Sequence, residues 1–425
     1  MEDGVKVSLI DVDKTTKRIE VILPKEKVQD IREKTIDEIR KKVRIRGFRP
    51  GKVPRALVLS YYSDLIEEET KRKVIDETIS SALEKANVDP LVRPIVDFIE
   101  TEDGEGYVMD CEVIPELEIK EYKGIEVEVK KADVKDDEIV ERLESLRNMH
   151  ALIREKEKDD QARFGDVAII KYRGYLDGKP LKEAGTDFYP LELGKGMFLP
   201  EFENAIVGMK KGEERDVEID FPLDYPDKEV AGKRVLFKVT LKELKEKVLP
   251  ELSDEFAKDL SFQNLEALKE GIKESIKKEK EALRREYIYR TVIDKILDGI
   301  EIPIPPRYLN KRIEDVLEDF KEKTKDSNLL KEEEEKLREE VERRVKEELK
   351  EEIVLINVAK KEAIEVSDEE LISEIKKIAD EMKRSYEEVR SFFEKNGLLG
   401  YIRSKVLLRK TKDFLIEQAQ PKEIP

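Results

Sequence analysis

A short basic stretch near the N-terminus contains the side chains whose types most clearly suit binding to a partner. Between Lys41 and Arg55 the chain has seven basic residues and no acidic one, and Phe48 stands between Arg46 and Arg49. The planar fork of arginine matches phosphate and carboxylate groups, and a projecting aromatic ring fits an apolar crevice. Two glycines and two prolines in the same stretch predict a tight loop. The residues alone leave two interpretations open, a docking loop or a solvated turn whose phenylalanine folds back onto neighbouring helices.

A second group of interest lies in the middle of the chain, where strand patterns replace helical ones. Eight of the nineteen glycines fall between Val167 and Leu241 and punctuate short alternating runs. Aromatic residues recur in these runs, and such a stripe taken alone is more typical of a core than of a pocket. The pattern predicts a compact β unit with one short helix, Glu201–Val207. The predicted strands are Val167–Tyr175, Tyr189–Leu193, Arg215–Phe221 and Arg234–Leu241.

The N-terminal stretch that must position the basic loop has an α+β pattern. Alternating residues predict paired strands, and helical spacing predicts a helix on each side of the loop. Pro24 and Pro54 stand at the predicted helix starts. The predicted elements are strands Val5–Asp13, Lys17–Leu23, Leu91–Glu100 and Gly106–Leu117, and helices from Pro24 to about Val43 and from Pro54 to about Ala86.

Helical spacing dominates the remainder. One helix is predicted near Asp136–His150, and after Pro250 the helical period returns. The prolines of Ile302–Pro306 interrupt it, because proline cannot continue the hydrogen-bond ladder. Ser367 and Ser385, each followed three residues later by glutamate, predict capping boxes. Two long apolar stripes are expected, with Leu265, Leu268, Ile272, Ile276, Leu283, Tyr287 and Ile293 in the first and Leu337, Val341, Val345, Leu349 and Ile353 in the second.

Composition excludes several classes of protein. The 425 residues suggest two to four domains, and 44% charged residues suit long helices with solvated faces. Cys111 and His150 are the only residues of their types, which excludes an internal disulfide and a multi-cysteine or multi-histidine metal site. The net charge of −17 argues against broad nucleic-acid binding outside the basic loop. No signal peptide, membrane span or Walker motif is recognised, so we expect a cytoplasmic protein without cofactor or metal.

The basic loop resembles the signature loop of the trigger factor family of ribosome-associated bacterial chaperones. The match is Gly47-Phe48-Arg49-x-Gly51-x-x-Pro54. The resemblance implies docking on the large ribosomal subunit beside the nascent-chain exit, on a ribosomal protein and nearby rRNA. The family commonly has lysine where this chain has Pro50, so one phosphate-facing charge is missing or replaced by Lys52. The implied ribosome-binding residues are Arg46, Gly47, Phe48, Arg49, Gly51 and Lys52.

The middle β unit is similar to FKBP-type prolyl isomerases. The matching motifs are Lys171–Gly174, Leu193–Glu203, Phe221–Tyr225 and Val235–Val239. The resemblance implies catalysis by an apolar pocket that desolvates and twists the X–Pro amide, without acid, base or metal. FKBPs usually place Phe-Asp where this chain has Leu181-Lys182, so weak activity on free prolyl peptides is expected. The implied pocket residues are Tyr172, Tyr189, Phe198, Leu199, Phe202, Tyr225 and Phe237, with the Tyr225 hydroxyl as a hydrogen-bond partner.

The expected fold is multidomain α+β. It combines an N-terminal α+β ribosome-docking domain (1–111), an FKBP-like antiparallel β-sheet domain with a short helix (151–243), and a discontinuous all-α C-terminal body with helical arms (112–150 and 244–425). The resemblance implies an ATP-independent chaperone that shelters nascent or unfolded chains and forms at most a weak homodimer. Apolar helix residues such as Leu337 and Leu349 are individually expected to pair within the helices, although the body as a whole is expected to hold clients.

Two alternative functions remain open from the residues. The chain could be mainly a prolyl isomerase whose helices recruit substrates. It could also be a non-catalytic scaffold that clasps folded basic proteins during assembly, which would suit its net charge of −17.

Overall fold

A computed structural model describes residues 4–45, 48–49, 51–102, 104–324 and 331–424. The chain forms two compact units. One unit contains the residues up to Lys130 together with those from Arg284 onward, and the other is Lys131–Leu283.

The first part of the chain is an antiparallel sheet with helices on one face. The strands are ordered β1-β2-β4-β3. Ile19, Val21 and Tyr107 are fully buried in the core that the sheet shares with the helices. The elements are β1 (Lys6–Asp11), β2 (Thr16–Leu23), α1 (Lys25–Lys42), α2 (Arg55–Tyr61), α3 (Ser63–Ala86), β3 (Ile95–Thr101) and β4 (Gly104–Glu112), followed by β5 (Glu126–Lys130).

The prediction of one helix from Pro54 to Ala86 is wrong. The backbone of Tyr62 leaves the helical region, at φ −131° and ψ 26°, and separates α2 from α3. Ser63 and Asp64 follow at once, and both residue types favour the first turn of a new helix.

The middle unit is built on a five-stranded antiparallel sheet. The strands run in the order β6-β10-β7-β8, and β9 pairs with β10. Strand β8 begins about ten residues earlier than predicted, because Asp177 and Gly178, both with positive φ, form a two-residue hairpin turn after β7. The elements are α4 (Asp136–Met149), β6 (Leu152–Glu155), β7 (Val167–Leu176), β8 (Lys179–Glu192), α5 (Pro200–Ile206), β9 (Glu214–Asp220), β10 (Arg234–Val248) and α6 (Asp254–Asp259).

Helices make up most of the chain after Pro250. Helices α8 and α9 pack against each other through a core that contains Ile313, Val345 and Leu349, so this apolar stripe is largely paired within the protein. No helix among the described residues has the length and apolar character that crossing a membrane requires. The elements are α7 (Leu265–Asp298), α8 (Pro306–Thr324), α9 (Lys331–Lys361), α10 (Asp368–Met382), α11 (Tyr386–Lys395), α12 (Leu399–Gln418) and β11 (Gln420–Ile424).

The predicted apolar stripe of α7 is wrong at two positions. Leu283 is 71% exposed and Tyr287 is 55% exposed, although both continue the face of buried Ile276. At about 100° per residue, the buried residues Ile288 and Val292 lie roughly 120° and 160° away from that face. One helix therefore contributes to two cores with two different faces.

The C-terminal body also contains features that the sequence patterns did not predict. Strand β11 pairs in parallel with β5, so the expected all-α body includes a short two-stranded sheet. The two predicted capping boxes differ. Ser367 and Glu370 form the complete box, as predicted. At Ser385 the side chain accepts the Glu388 N–H, but the return bond from the Ser385 N–H to the Glu388 side chain is not made.

A buried carboxylate joins the N-terminal sheet to helix α8. Glu112, at the end of β4, accepts the Arg307 N–H at 2.9 Å and the Tyr308 N–H at 2.8 Å. Pro306 has no N–H, and the Leu309 N–H donates to the Pro305 carbonyl. The N–H groups of Arg307, Tyr308 and Leu309 at the start of α8 are thereby all bonded, two of them to one side chain from a distant strand.

Candidate docking loop and candidate prolyl pocket

The segment between α1 and α2 is a loop with an anchored base. Val53 is fully buried in a small core with Ile36 and Val58, and the Arg40 Nε donates to the Val53 carbonyl at 2.8 Å. Because α1 and α2 both contribute to this core, the helices fix the two ends of the loop.

The tip of the loop presents an aromatic ring and positive charge. Phe48 is 40% exposed beside exposed Arg49, so part of the ring surface is open to a partner. The Lys52 N–H donates to the Arg49 carbonyl at 2.9 Å, and Gly51 has φ +80°, a conformation that favours glycine. Of the remaining predicted docking residues, Arg46 and Gly47 lie outside the described residues, as does Pro50.

The charges of the basic stretch are not equally available. Arg55 forms an ion pair with Glu33 at 2.5 Å, and this guanidinium lowers the pKa of Glu33. Within the described part of the chain, Arg49 and Lys52 form no ion pair, and both are exposed. Positive charge at the loop tip therefore remains available to an anionic partner.

The second candidate site is a cluster of rings on the inner side of the middle sheet. Tyr172 on β7 is its centre, with the Phe198 ring 5.5 Å and the Phe202 ring 5.7 Å from it, centroid to centroid. Burial and the neighbouring Tyr189 hydroxyl raise the pKa of Tyr172, so this phenol stays neutral. Gly174 gives the Phe237 ring its space, since a Cβ there would lie 3.0 Å from that ring.

All seven predicted pocket residues belong to this part of the structure. Phe198 and Phe202 stack at 4.7 Å with an interplanar angle of 19°, and Tyr189 meets Phe198 edge-on at 5.2 Å. Phe202 is buried, whereas Tyr189 and Phe198 are only partly buried. Two further predicted residues, Leu199 and Tyr225, pack on the same core and are also partly buried.

Sequence reasoning missed one member of the ring cluster, Phe221. Its ring lies 6.2 Å from Phe237 and 4.7 Å from Tyr225, so it connects the loop of Tyr225 to the other rings. The sequence did contain a signal for this residue, because Phe221 is the first residue of the matching motif Phe221–Tyr225, directly after strand β9. The exposed large apolar side chains of the same unit include Phe164, Phe188, Met197 and Leu223.

Leu181 lies at the position where FKBPs usually have phenylalanine. Its side chain packs against the ring core from strand β8 and is partly buried. The side chain of Lys182 lies outside the described residues.

A cavity of about 530 Å³ lies elsewhere in the same unit, on the outward face of the strands. Tyr175, Leu236 and Lys238 line it. The cavity is also lined by Arg234, whose guanidinium forms an ion pair with Asp220 at 2.7 Å, so its charge is compensated within the protein. The convergent rings of the inner face are the better candidate for a site.

Four helices of the helical body, α8 and α10 to α12, each expose one large apolar side chain among their described residues. Leu349 is buried and Leu337 is partly buried, as expected of residues that pair within the helices. The exposed large apolar residues on helices α8 and α10 to α12 are Phe320, Met382, Phe392 and Tyr401.

Comparisons with known proteins cover nearly the whole chain. A family model described as bacterial trigger factor protein matches residues 5–146, and the model of its C-terminus matches residues 264–417. Between them, residues 158–242 match the FKBP-type peptidyl-prolyl cis-trans isomerase family, and these residues contain the ring cluster.

Full-length relatives give the same result. The chain is 36% identical to the trigger factor of Carboxydothermus hydrogenoformans, over 98% of this chain and 100% of that protein. It is 32% identical to the trigger factor of Halothermothrix orenii, over 98% and 99%. A solved structure of a trigger factor chaperone, from a study of promiscuous substrate recognition, aligns with 97% of this chain and 99% of its own, at 26% identity and a TM-score of 0.55. The chain therefore belongs to the trigger factor family and is a ribosome-associated chaperone with an FKBP-type peptidyl-prolyl isomerase domain.

Proposed function

We propose that the loop around Phe48 docks the chain on the large ribosomal subunit, near the exit tunnel. Phe48 inserts into an apolar crevice of a ribosomal protein, and Arg49 and Lys52 contact rRNA phosphates, with Arg46, Gly47 and Gly51 completing the loop. The observation that carries this proposal is the exposed Phe48 beside unpaired Arg49 on a loop whose base is anchored by buried Val53. An exposed aromatic ring beside an arginine guanidinium suits a surface that combines apolar protein groups and phosphates.

Co-sedimentation with purified large and small ribosomal subunits tests this docking. We expect the native chain to pellet with large subunits, and the double variant Phe48→Ala/Arg49→Ala to bind at least about tenfold more weakly, because both anchors are removed. The control is Tyr61→Ala/Arg72→Ala, which removes an exposed aromatic and an exposed arginine from the same domain. Equal binding of both double variants, or pelleting with small subunits alone, would contradict the proposal.

The ring cluster is proposed to hold X–Pro segments for isomerisation. Rotation about the peptide bond has a barrier of about 18–20 kcal/mol, because resonance stabilises the planar form. Within walls formed by Tyr172, Phe202 and Phe237 the planar, more polar form of the amide loses its hydration, so rotation becomes easier. Tyr189, Phe198 and Leu199 form the more exposed wall, and the Tyr225 hydroxyl donates a hydrogen bond to the bound chain. Leu181-Lys182 is proposed to make turnover on short peptides slow.

The chain is proposed to divide into three functional domains, 1–111, 151–243, and 112–150 with 244–425. The N-terminal sheet core and the ring core have no residue in common, which supports separating the first two. Helices α4 and α6 share a core with the start of α7, so part of the proposed helical body belongs to the same compact unit as the isomerase sheet.

The helical body is proposed to hold nascent or unfolded chains in the bacterial cytoplasm, where ribosomes work. Its exposed residues Phe392 and Tyr401 lie among charged side chains, an arrangement that supports loose, exchangeable contacts. Folded basic proteins are proposed as further partners on the strength of the net charge of −17. Weak homodimerisation is proposed through the edge strand β1, where Leu9 and Ile10 are exposed.

A further inference from the structure

Three backbone N–H groups of the loop between β8 and α5 converge on one buried carboxylate. The side chain is Glu203 of α5, which is 3% exposed. Its Oε2 accepts the Gly194 N–H at 2.7 Å and the Gly196 N–H at 3.4 Å, and its Oε1 accepts the Phe198 N–H at 3.1 Å. Among the residues that the structure describes, no cation pairs with this carboxylate. The loop backbone itself supplies the compensation that a buried negative charge requires.

The backbone of this loop is shaped to make these bonds. Gly194 and Gly196 have φ +93° and +68°. With these angles, the alternate N–H groups of Gly194, Gly196 and Phe198 all point toward the Glu203 carboxylate. A Cβ at Gly194 would lie 3.1 Å from the Phe164 ring, which leaves the loop little room for another path. The glycines allow the conformation, and the Glu203 carboxylate holds it.

The loop ends at two residues of the proposed pocket. Phe198 donates its N–H to Glu203, and its ring stacks on Phe202, the residue that precedes Glu203 on the helix. Leu199 follows and occupies the N-cap position of α5. A movement of the loop would therefore shift the exposed wall of the pocket relative to the buried wall on the sheet.

We propose that Glu203 is a positioning residue for prolyl isomerisation. It does not contact the substrate; it holds Phe198 and Leu199 where the twisted X–Pro amide meets a preformed apolar wall. Preformed walls matter in this reaction because catalysis depends on desolvation and positioning rather than on a proton donor, and a shift of about 1 Å in a positioned group can cost about 100-fold in rate. The inference rests on the proposed pocket.

The test uses the full chain with Glu203→Ala and Glu203→Gln. The matched control is Asp166→Asn, since Asp166 is also a buried carboxylate of this unit, accepting the Arg163 N–H at 2.8 Å and pairing with Lys156. Isomerisation of an Xaa-Pro tetrapeptide is measured by NMR exchange well below the melting temperature of each variant. Hydrogen exchange of the Gly194, Gly196 and Phe198 amides is measured on the same samples.

Glu203→Ala is expected to lower kcat/KM about 10- to 100-fold, mainly through kcat, with faster exchange of the three amides. Glu203→Gln should give an intermediate result, because one carbonyl oxygen can accept from the glycine pair or from Phe198 but not from both. Asp166→Asn should lower the melting temperature while kcat/KM stays within about twofold of the native value.

The proposal is overturned if both Glu203 variants keep kcat/KM within about twofold of Asp166→Asn. If Glu203→Ala does not fold, the result for Glu203→Gln decides, because it keeps the shape of the side chain. The variant Phe198→Ala distinguishes failure of the Glu203 positioning role from failure of the pocket proposal itself. Full activity of Phe198→Ala would remove the pocket proposal, whereas an impaired Phe198→Ala beside fully active Glu203 variants would remove only the positioning role.

Discussion

The ring of Tyr225 meets the rest of the cluster through Phe221, at 4.7 Å, and lies on a partly exposed loop after β9. This position makes Tyr225 a suitable residue for separating isomerase activity from chaperone activity. Its side chain can be changed without opening the buried core around Phe202.

Tyr225→Ala is expected to lower kcat/KM for a prolyl peptide about 10- to 100-fold, because it removes both the ring and the hydroxyl from the pocket. Tyr225→Phe should lower it only about fivefold, the value of one ordinary hydrogen bond. Peptide isomerisation and suppression of aggregation of an unfolded client are measured side by side. Aggregation suppression is expected to stay within about twofold of the native chain. Parallel loss of both activities would favour the alternative in which the chain is mainly an isomerase.

At the residue scale, motif order was enough to locate the seven predicted residues that the structure brings together, but it did not point to Phe221 or to the carboxylate that accepts the N–H groups of the neighbouring loop. The aromatic residues could be located because their types and spacing match a known pattern. Glu203 could not, because its role depends on the loop turning back until three N–H groups reach one carboxylate. A glutamate near the start of a short helix looks like any favourable first-turn acid.

At the scale of elements, the N-terminus of helix α8 is capped by a side chain from the N-terminal sheet. Glu112 is buried and accepts both free N–H groups of the first turn, while Pro306 contributes none. The Arg307 guanidinium also donates to the Arg93 carbonyl at 2.9 Å, so the helix start contacts both the end of β4 and the segment that precedes β3.

Glu112→Ala is expected to destabilise the start of α8 by about 2 kcal/mol, the upper end of the range for a lost helix cap. Hydrogen exchange of the Arg307 and Tyr308 amides should become faster, while amides in the middle of α9 keep their protection. The control is Glu116→Ala, which removes an exposed carboxylate four residues further on. Unchanged exchange at Arg307 and Tyr308 in Glu112→Ala would count against this capping role.

Helix α7 shows that the spacing of apolar residues predicts a helix but not which of its faces is buried along its whole length. Regular spacing predicted its existence and length, but a single stripe assumes one packing partner along the whole helix. Leu283 and Tyr287 follow the stripe and are exposed, because beyond Ile276 the buried face changes to the side of Ile288 and Val292. Tertiary packing decides which face is buried, and the spacing of apolar residues within one helix does not contain that information.

At the scale of the molecule, the C-terminal strand closes the body by pairing with a strand that precedes the middle unit. Strand β11 lies in parallel register with β5, from Gln420 beside Glu126 to Ile424 beside Lys130. Glu423 adds an ion pair with Arg284 at 3.3 Å. These contacts belong to the unit that contains both ends of the described chain.

A chain ended after Ala419 is expected to lose about 2–4 kcal/mol of stability in this unit, through lost backbone hydrogen bonds. Its melting temperature should fall by roughly 5 °C or more in calorimetry. Proteolysis near Val127 and Val129 should become faster, because β5 loses its paired edge. Prolyl isomerase activity should persist, since the ring cluster belongs to the other unit. The control is Lys422→Ala, an exposed position whose backbone stays paired. A native melting temperature for the shortened chain would show that the strand pair contributes little.

The pairing of β5 with β11 also determines when during translation this part of the protein can be completed. During translation the partner of β5 emerges roughly 290 residues later, which at about 5–20 residues per second is about 15 to 60 s. For that interval β5 lacks its strand partner, whereas the middle unit, Lys131–Leu283, is contiguous in sequence and is complete earlier. The order of synthesis therefore requires that the middle unit be complete before the unit that surrounds it in sequence can form its β5–β11 pair.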